Sequence, residues 1–302
     1  MSGEVFEIGG EGFKSVIGGI AIGVVLGLAT AMALAWKWQL GLFRSGLVAV
    51  VLALGAALIV VAIDAAVSLP SLLAVGLVWL LTLCLAAVAV LYRFFRDPER
   101  RVPGGESVIV SPADGEVVYV REARGGVLPR TTKLGRDYQL DELTKTPLAT
   151  EDAIVIGVAM SFLDVHVNRA PLGGRIAILR RFPGLFGSLR RPEMIFENER
   201  ATLVIDRGDL QIAVVQIASR LVRRIVPYVD EGDDVVAGQR IGMIRFGSQV
   251  DLVLPLREGL RVTAEPGDRV SAGETIVALF EPTSVVKAAI QDGRATAGSA
   301  GA

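Results

Sequence analysis

Three short stretches of this 302-residue chain carry side chains suited to proton transfer or nucleophilic attack. His166, the only histidine, stands in SFLDVHVNRAP; an imidazole with a pKa near ~6.5 can both accept and return a proton at neutral pH. Asp114 stands in SPADGEV, and Ser248 follows Gly247 in RFGSQVDL. A hydroxyl becomes a good nucleophile only when a neighbouring base takes its proton, and a carboxylate can fix the tautomer of that base. Each stretch also has a purely structural reading. Val165 and Val167 alternate around His166 as in a strand, Asp114-Gly115 after a proline is a common turn, and Gly247-Ser248 fits a strand-end bulge. The three can act together only if the fold gathers them.

The elements that must do so begin near residue 107. From there the chain reads as short β-branched runs broken by Gly, Pro and Asp: SVIVSPADGEVVYV, AIVIGVAM, RIAILRRF, ATLVIDRGDLQIAVVQIAS, DLVLP and TIVALF. One internal repeat stands out. EGDDVVAGQRIGMI at 231–244 and EPGDRVSAGETIVAL at 265–279 share a GD-x-V-x-x-G frame, about 34 residues apart. Such paired hammerhead strands resemble the barrel-sandwich fold of biotinyl and lipoyl carrier domains, so a binding module on a membrane stalk is a rival reading. A carrier needs a lysine at the turn between the half-motifs, and FGSQVDLVLP at 246–255 has none. The polar segment 121–150 is expected to be a long loop, and the tail after Gln291 to be disordered.

The composition divides the chain. Its 52% hydrophobic content is high for a soluble protein, and the excess lies before residue 93. Residues 16–36, 46–63 and 71–92 are apolar runs long enough to cross the ~30 Å core of a bilayer as helices. Glu4, Glu7 and Glu11 stand where a signal peptide would be positive. If all three runs cross, Lys37 and Arg44 on one side and Arg93, Arg96, Arg100 and Arg101 after the third put the later residues in the cytoplasm. With 31 basic and 32 acidic side chains and no basic stripe, nucleic acid is not the expected partner. The single cysteine, Cys84, rules out an intramolecular disulfide or a cysteine-based metal site.

Five motifs in order resemble the phosphatidylserine decarboxylase family, in particular its short bacterial and archaeal branch: FFRDPER at 94–100, SPADG at 111–115, DVHVNRAP at 164–171, ENER at 197–200 and EGDDVVAGQRIGMIRFGSQVDL at 231–252. The resemblance implies a membrane anchor over 1–97 with up to three transmembrane helices, then a mainly β decarboxylase domain over 98–302 of barrel-sandwich, lipoyl-like hammerhead character. It implies that Asp114, His166 and Ser248 form a triad acting on the chain's own backbone. Ser248 would attack the Gly247 carbonyl to give an ester, and elimination and hydrolysis would then leave a β chain 1–247 and an α chain 248–302 capped by a pyruvoyl group made from Ser248. That ketone would serve as the electron sink for decarboxylation through a Schiff base with the serine amine of the lipid, without external cofactor or metal.

Phosphatidylserine in the bilayer is the implied substrate and phosphatidylethanolamine the product, although nothing in these residues separates phosphatidylserine from archaetidylserine. A homodimer at the cell membrane, with catalysis on the cytoplasmic side, is the expected assembly. One departure stands out: longer members carry a second histidine three residues after the first, where this chain has Arg169. His166 must then serve both cleavage and decarboxylation, or Asp164 and Arg169 must take part; with Asn168 they are the candidate substrate-site residues. The segment RRFPGLFGSLRR at 180–191 suits a loop dipping between anionic head groups, or an ordinary hairpin with solvated arginines.

Overall fold

The computed structural model of the chain describes residues 4–38, 40–105, 107–128, 138–146, 148, 150–185, 187–189, 194–219, 225–244 and 248–281. It forms two compact units, Met1–Arg96 and Asp97–Ala302. Gly247 and the tail after Gln291 lie outside the described residues.

The first unit is three helices, α1 (Glu4–Lys37), α2 (Leu42–Val67) and α3 (Ser71–Phe95). Each contains a stretch long and apolar enough to cross a membrane: Ser15–Trp38, Leu42–Val67 and Ser71–Phe95. Glycine brings α1 against α3, because a Cβ on Gly19 would come within 2.6 Å of the Ser71 carbonyl and one on Gly23 within 2.8 Å of the Val75 carbonyl. Spaced by four, these glycines form one small-residue stripe, the usual way for apolar helices to pack closely without a hydrophobic driving force between them.

The second unit is mainly β, in chain order β1 (Val108–Val110), β2 (Gly115–Ala123), β3 (Val127–Leu128), β4 (Tyr138–Gln139), α4 (Leu140–Thr144), β5 (Ala153–Met160), β6 (Val167–Arg169), β7 (Gly174–Phe182), α5 (Met194–Glu197), β8 (Arg200–Asp206), β9 (Gln211–Ala218), β10 (Ile225–Pro227), β11 (Asp234–Val235), β12 (Arg240–Ile244), β13 (Ser248–Pro255), β14 (Leu260–Val262), β15 (Arg269–Val270) and β16 (Ile276–Phe280). An eight-stranded curled sheet has the order β11-β7-β8-β9-β13-β5-β2-β15, and two three-stranded sheets, β1-β16-β14 and β10-β12-β6, accompany it. β8, β9 and β13 are buried along almost their whole described length because both faces of the sheet are covered there. One face packs with Ile109, Ile225, Ile241 and Phe280 of the small sheets in the main core. The other carries a second core around Val215, Ile217 and Val253, closed by Leu140 and Leu143 of α4 and Ile195 and Phe196 of α5.

The repeat is a structural one. Gly232 N–H bonds the Ile176 carbonyl at 2.8 Å as Gly267 N–H bonds that of Val117 at 2.7 Å, and Gly238 N–H bonds Ala170 as Gly273 N–H bonds Ser111, both at 2.8 Å. The matched glycines share positive φ, +99° with +101° and +77° with +75°, which only glycine adopts without strain. In each half a two-residue strand (β11 or β15) pairs with the start of a long one (β7 or β2), and the next strand (β12 or β16) is central in a small sheet.

The expectation of one long loop over 121–150 is corrected for the described residues of that span; 129–137, 147 and 149 lie outside them. β2 runs on to Ala123, and β3, β4 and α4 follow. Its sparse apolar residues, Leu128, Leu140 and Leu143, hide this order from a periodicity reading, yet all three are buried in the second core.

Candidate active site

His166 sits just before β6 with its ring fully buried. Its Nδ1 lies 2.8 Å from the Asp164 carbonyl oxygen. A carbonyl can only accept, so Nδ1 carries the proton and Nε2 is the basic nitrogen of the neutral ring. Burial lowers the His166 pKa to about 4, while the Asp164 carbonyl and carboxylate pull the other way. At neutral pH the resting ring is therefore uncharged. Asp164 is itself fixed, with one oxygen accepting the Ser161 N–H and the other Arg269 Nη2, both at 2.7 Å.

The main chain ties His166 to the strand that ends four residues before β13 begins. Ile244, the last residue of β12, donates its N–H to the His166 carbonyl at 3.1 Å. Ser248 opens β13 four residues later, so the two residues are at most about 14 Å apart along the chain. Through its backbone register Ser248 is paired with Met160 of β5 on one side and Ala218 of β9 on the other.

Asn168 is fully buried nearby. Its Oδ1 accepts Gln216 Nε2 at 2.7 Å, and its Nδ2 lies 3.8 Å from the Met160 sulfur. Gln216 and Met160 belong to the two strands flanking β13, opposite Val250 and Ser248 respectively. The Asn168 amide thus spans β13 near its start. Gln216 shows in the sequence only as a lone amide inside the apolar run IAVVQIAS and is not among the residues singled out there.

The structure does not bring Asp114 onto His166. Among the described residues, the Asp114 carboxylate accepts Arg100 Nη2 on both oxygens, at 2.9 and 2.8 Å, and the Ala272 N–H at 2.8 Å. Arg100 also pairs with Glu274 at 2.8 Å. Arg169 is equally committed: buried, it donates to the Gly238 carbonyl at 2.9 Å and to Asp97 and the Pro98 carbonyl at 3.0 Å. Arg240 bonds Asp97 as well, and Glu99 at 2.7 Å. The 97–100 segment is thereby laced to β6, β12 and the turn before β16 by alternating charges; the Arg100–Asp114 and Arg169–Asp97 pairs are largely desolvated, where such pairs are worth more than at the surface, whereas Glu99 on Arg240 is exposed. The sequence marks these residues as a motif but gives no sign of which charge meets which.

The chain is similar to known proteins over much of its length. The profile of the family described as phosphatidylserine decarboxylase matches residues 88–278. The phosphatidylserine decarboxylase proenzyme of Erythrobacter litoralis is 44% identical over 186 residues, 61% of this chain and 71% of that protein. That of Ralstonia nicotianae is 40% identical over 206 residues, 68% of this chain and 85% of that protein. A protein of Methanothermobacter thermautotrophicus, named as an archaetidylserine decarboxylase proenzyme, is 42% identical over 200 residues, 66% of this chain and 85% of its own length. With a family match over most of the β unit and relatives of this identity on both sides, the chain belongs to the phosphatidylserine decarboxylase family.

Proposed function

We propose that this chain is a self-processing, pyruvoyl-dependent decarboxylase that converts phosphatidylserine to phosphatidylethanolamine and carbon dioxide at a membrane. The observation that carries the reading is the buried, neutral His166, whose Nδ1–H is held by a carbonyl and whose main chain is tied to Ile244, just ahead of the Gly247–Ser248 pair. In that state Nε2 is a base without competition from a positive charge. Its work is to take the Ser248 hydroxyl proton as Oγ bonds to the Gly247 carbonyl carbon, and to hand that proton to the nitrogen as the peptide C–N bond breaks. Loss of the Cα proton at 248 then breaks the Cβ–Oγ bond of the ester and frees the Gly247 carboxylate. Hydrolysis of the resulting dehydroalanine releases ammonia and leaves a ketone.

A pyruvoyl ketone at position 248 supplies the electron sink that decarboxylation requires. Its cross-strand neighbours in the ladder, Met160 and Ala218, are buried and apolar. Asn168 and Gln216, joined to each other beside the start of β13, are assigned to orienting the serine head group. His166 is assigned to returning a proton to the substrate carbon. Asp114 and Arg169 enter as positioning residues, holding the 97–101 segment through Arg100 and Asp97. The three apolar helices fit a substrate met only in a bilayer, and the arginines after α3 favour a cytoplasmic catalytic unit. The relatives carry names for two serine lipids; both share the head group, so vesicles containing each would separate them by turnover.

The test is an intact-mass spectrum of the purified protein. The expected result is a fragment of residues 248–302 bearing a ketone in place of its amine, with Ser248→Ala giving one uncut, inactive chain. A wild-type protein that stays whole under the same conditions, or a cut Ser248→Ala chain, overturns the reading.

A further inference from the structure

The far side of β13, turned away from His166, holds a polar cluster that the proposed chemistry does not use. Gln249 is 3% exposed and Asp251 is completely buried, while their partner Tyr119 is half-buried. Three hydrogen bonds close a ring. Gln249 Nε2 donates to Asp251 Oδ1 at 2.6 Å and to the Tyr119 hydroxyl at 2.7 Å, and that hydroxyl donates to Asp251 Oδ2 at 2.7 Å. Around it stand two cations. Arg200, 1% exposed, donates to the carbonyls of Leu143 at 2.7 Å and of Glu142 and Ile195 at 3.0 Å. Arg121 lies 4.1 Å from the centroid of the Tyr119 ring. Gly157 makes room for Tyr119, since a Cβ there would sit 2.5–2.8 Å from three ring carbons.

Stability alone does not account for such a cluster. Burial raises the Asp251 pKa to about 6 and lowers that of Arg200 to about 10, so both charges are held at a cost. Apolar side chains of the same volume commonly do as well or better in such places. What apolar packing cannot supply is direction, and Gln249 is where direction matters. It is the residue following Ser248, at the beginning of the β13 ladder. A continuous chain holds residue 248 from both sides; once the 247–248 bond is cut, 248 is a chain end, and chain ends fray unless tied down.

We propose, building on the function proposed above, that Gln249, Asp251 and Tyr119 form a positioning anchor that fixes residue 248 for attack on Gly247 and then holds the new chain terminus in place. None of the three touches the reacting atoms from this face. They act through the main chain of β13.

The test uses the full-length chain in detergent, following the uncut fraction on denaturing gels after synthesis, with melting temperature and far-ultraviolet circular dichroism on the same samples. Gln249→Leu, which keeps the bulk and removes the donors, is expected to slow self-cleavage at least tenfold while the protein stays folded. Gln249→Glu sets a second carboxyl against Asp251, with Tyr119, Arg121 and Arg200 the other titratable groups around it. It is expected to cut near the wild-type rate at pH 5.5, where one proton bridges the pair, and at least tenfold more slowly at pH 8, while wild type stays level because a protonated Asp251 still accepts from Gln249. Tyr119→Phe, which loses one hydroxyl only, is expected to slow cleavage a few-fold and serves if the Gln249 variants do not fold. Wild-type rates in all folded variants, or a slowing that only mirrors lost folded protein, overturn the anchor and leave the proposed function standing. A wild-type chain that is never cut at 247–248 overturns both.

Discussion

The two halves of the internal repeat share a backbone and differ in what they carry. Gly115 and Gly174 open β2 and β7 alike, each against a carbonyl of the neighbouring strand, Ala159 or Asp206. Val270 and Val235 pair with them in turn. One residue earlier, the first half has Asp114 bound to Arg100 and Ala272, and the second has Gly173. The histidine is distributed the other way: His166 precedes β6 where Ser107 precedes β1. A duplicated hydrogen-bond frame therefore supplies two equivalent cradles, and single side chains make one a clamp and the other the proposed place of proton transfer. The frame is set by glycine and turn chemistry and the function by departures from symmetry.

The largest expected effect comes from removing the group that only the second half has. His166→Ala should slow self-cleavage by roughly 10² to 10⁴, the range for loss of a positioned base. A gel time course measures it, and cleavage at the wild-type rate would place the base elsewhere. In the wild type, burial keeps the basic form present above pH about 4. Cleavage should be level from about pH 5.5 to 8 and fall by half near pH 4, not near the ~6.5 of a solvated imidazole.

Asp114→Asn breaks what only the first half has. A third member of a catalytic triad would cost about 10⁴ in rate when so changed. A clamp should instead lose about 1.5–3 kcal/mol of stability, the contribution of hydrogen bonds to a charged partner. We expect the second outcome, read as a lower denaturation midpoint with cleavage of the folded protein within about tenfold of wild type.

Smallest is the change that should treat the halves alike. Gly232→Ala and Gly267→Ala each force an L residue into positive φ and should each cost about 1–2 kcal/mol. Neither added methyl group meets a close neighbour, so strongly unequal losses in chemical denaturation would mean that the frames are not energetically equivalent.

The sequence made the frame legible because its turns need glycine and aspartate at fixed spacing, and the three apolar helices because length and composition suffice for them. His166 was legible as the only histidine. The Asp114 partnership was not, since proximity in a motif says nothing of which cation arrives from elsewhere in the chain, and Arg100 stands in another motif altogether. Arg169 looked like a stand-in for a catalytic histidine, yet its guanidinium is held by Asp97 and Gly238. Gln216, Tyr119 and Asp251 were invisible for one reason: each is flanked by apolar strand residues, in VVQIA, VVYV and VDLV, and its meaning lies in cross-strand partners.

β13 lies between β9 and β5, and β16 between β1 and β14. Val250, Leu252 and Leu254 of β13 are fully buried, each stabilising the fold by about 1.5–3 kcal/mol. A break just before β13 would thus yield two polypeptides with no separate existence, for which a dissociation constant has no meaning short of unfolding. Mature molecules mixed together would never exchange their shorter chains. Each copy would have one opportunity to become active, and a cell could replace a spent copy only by translating another.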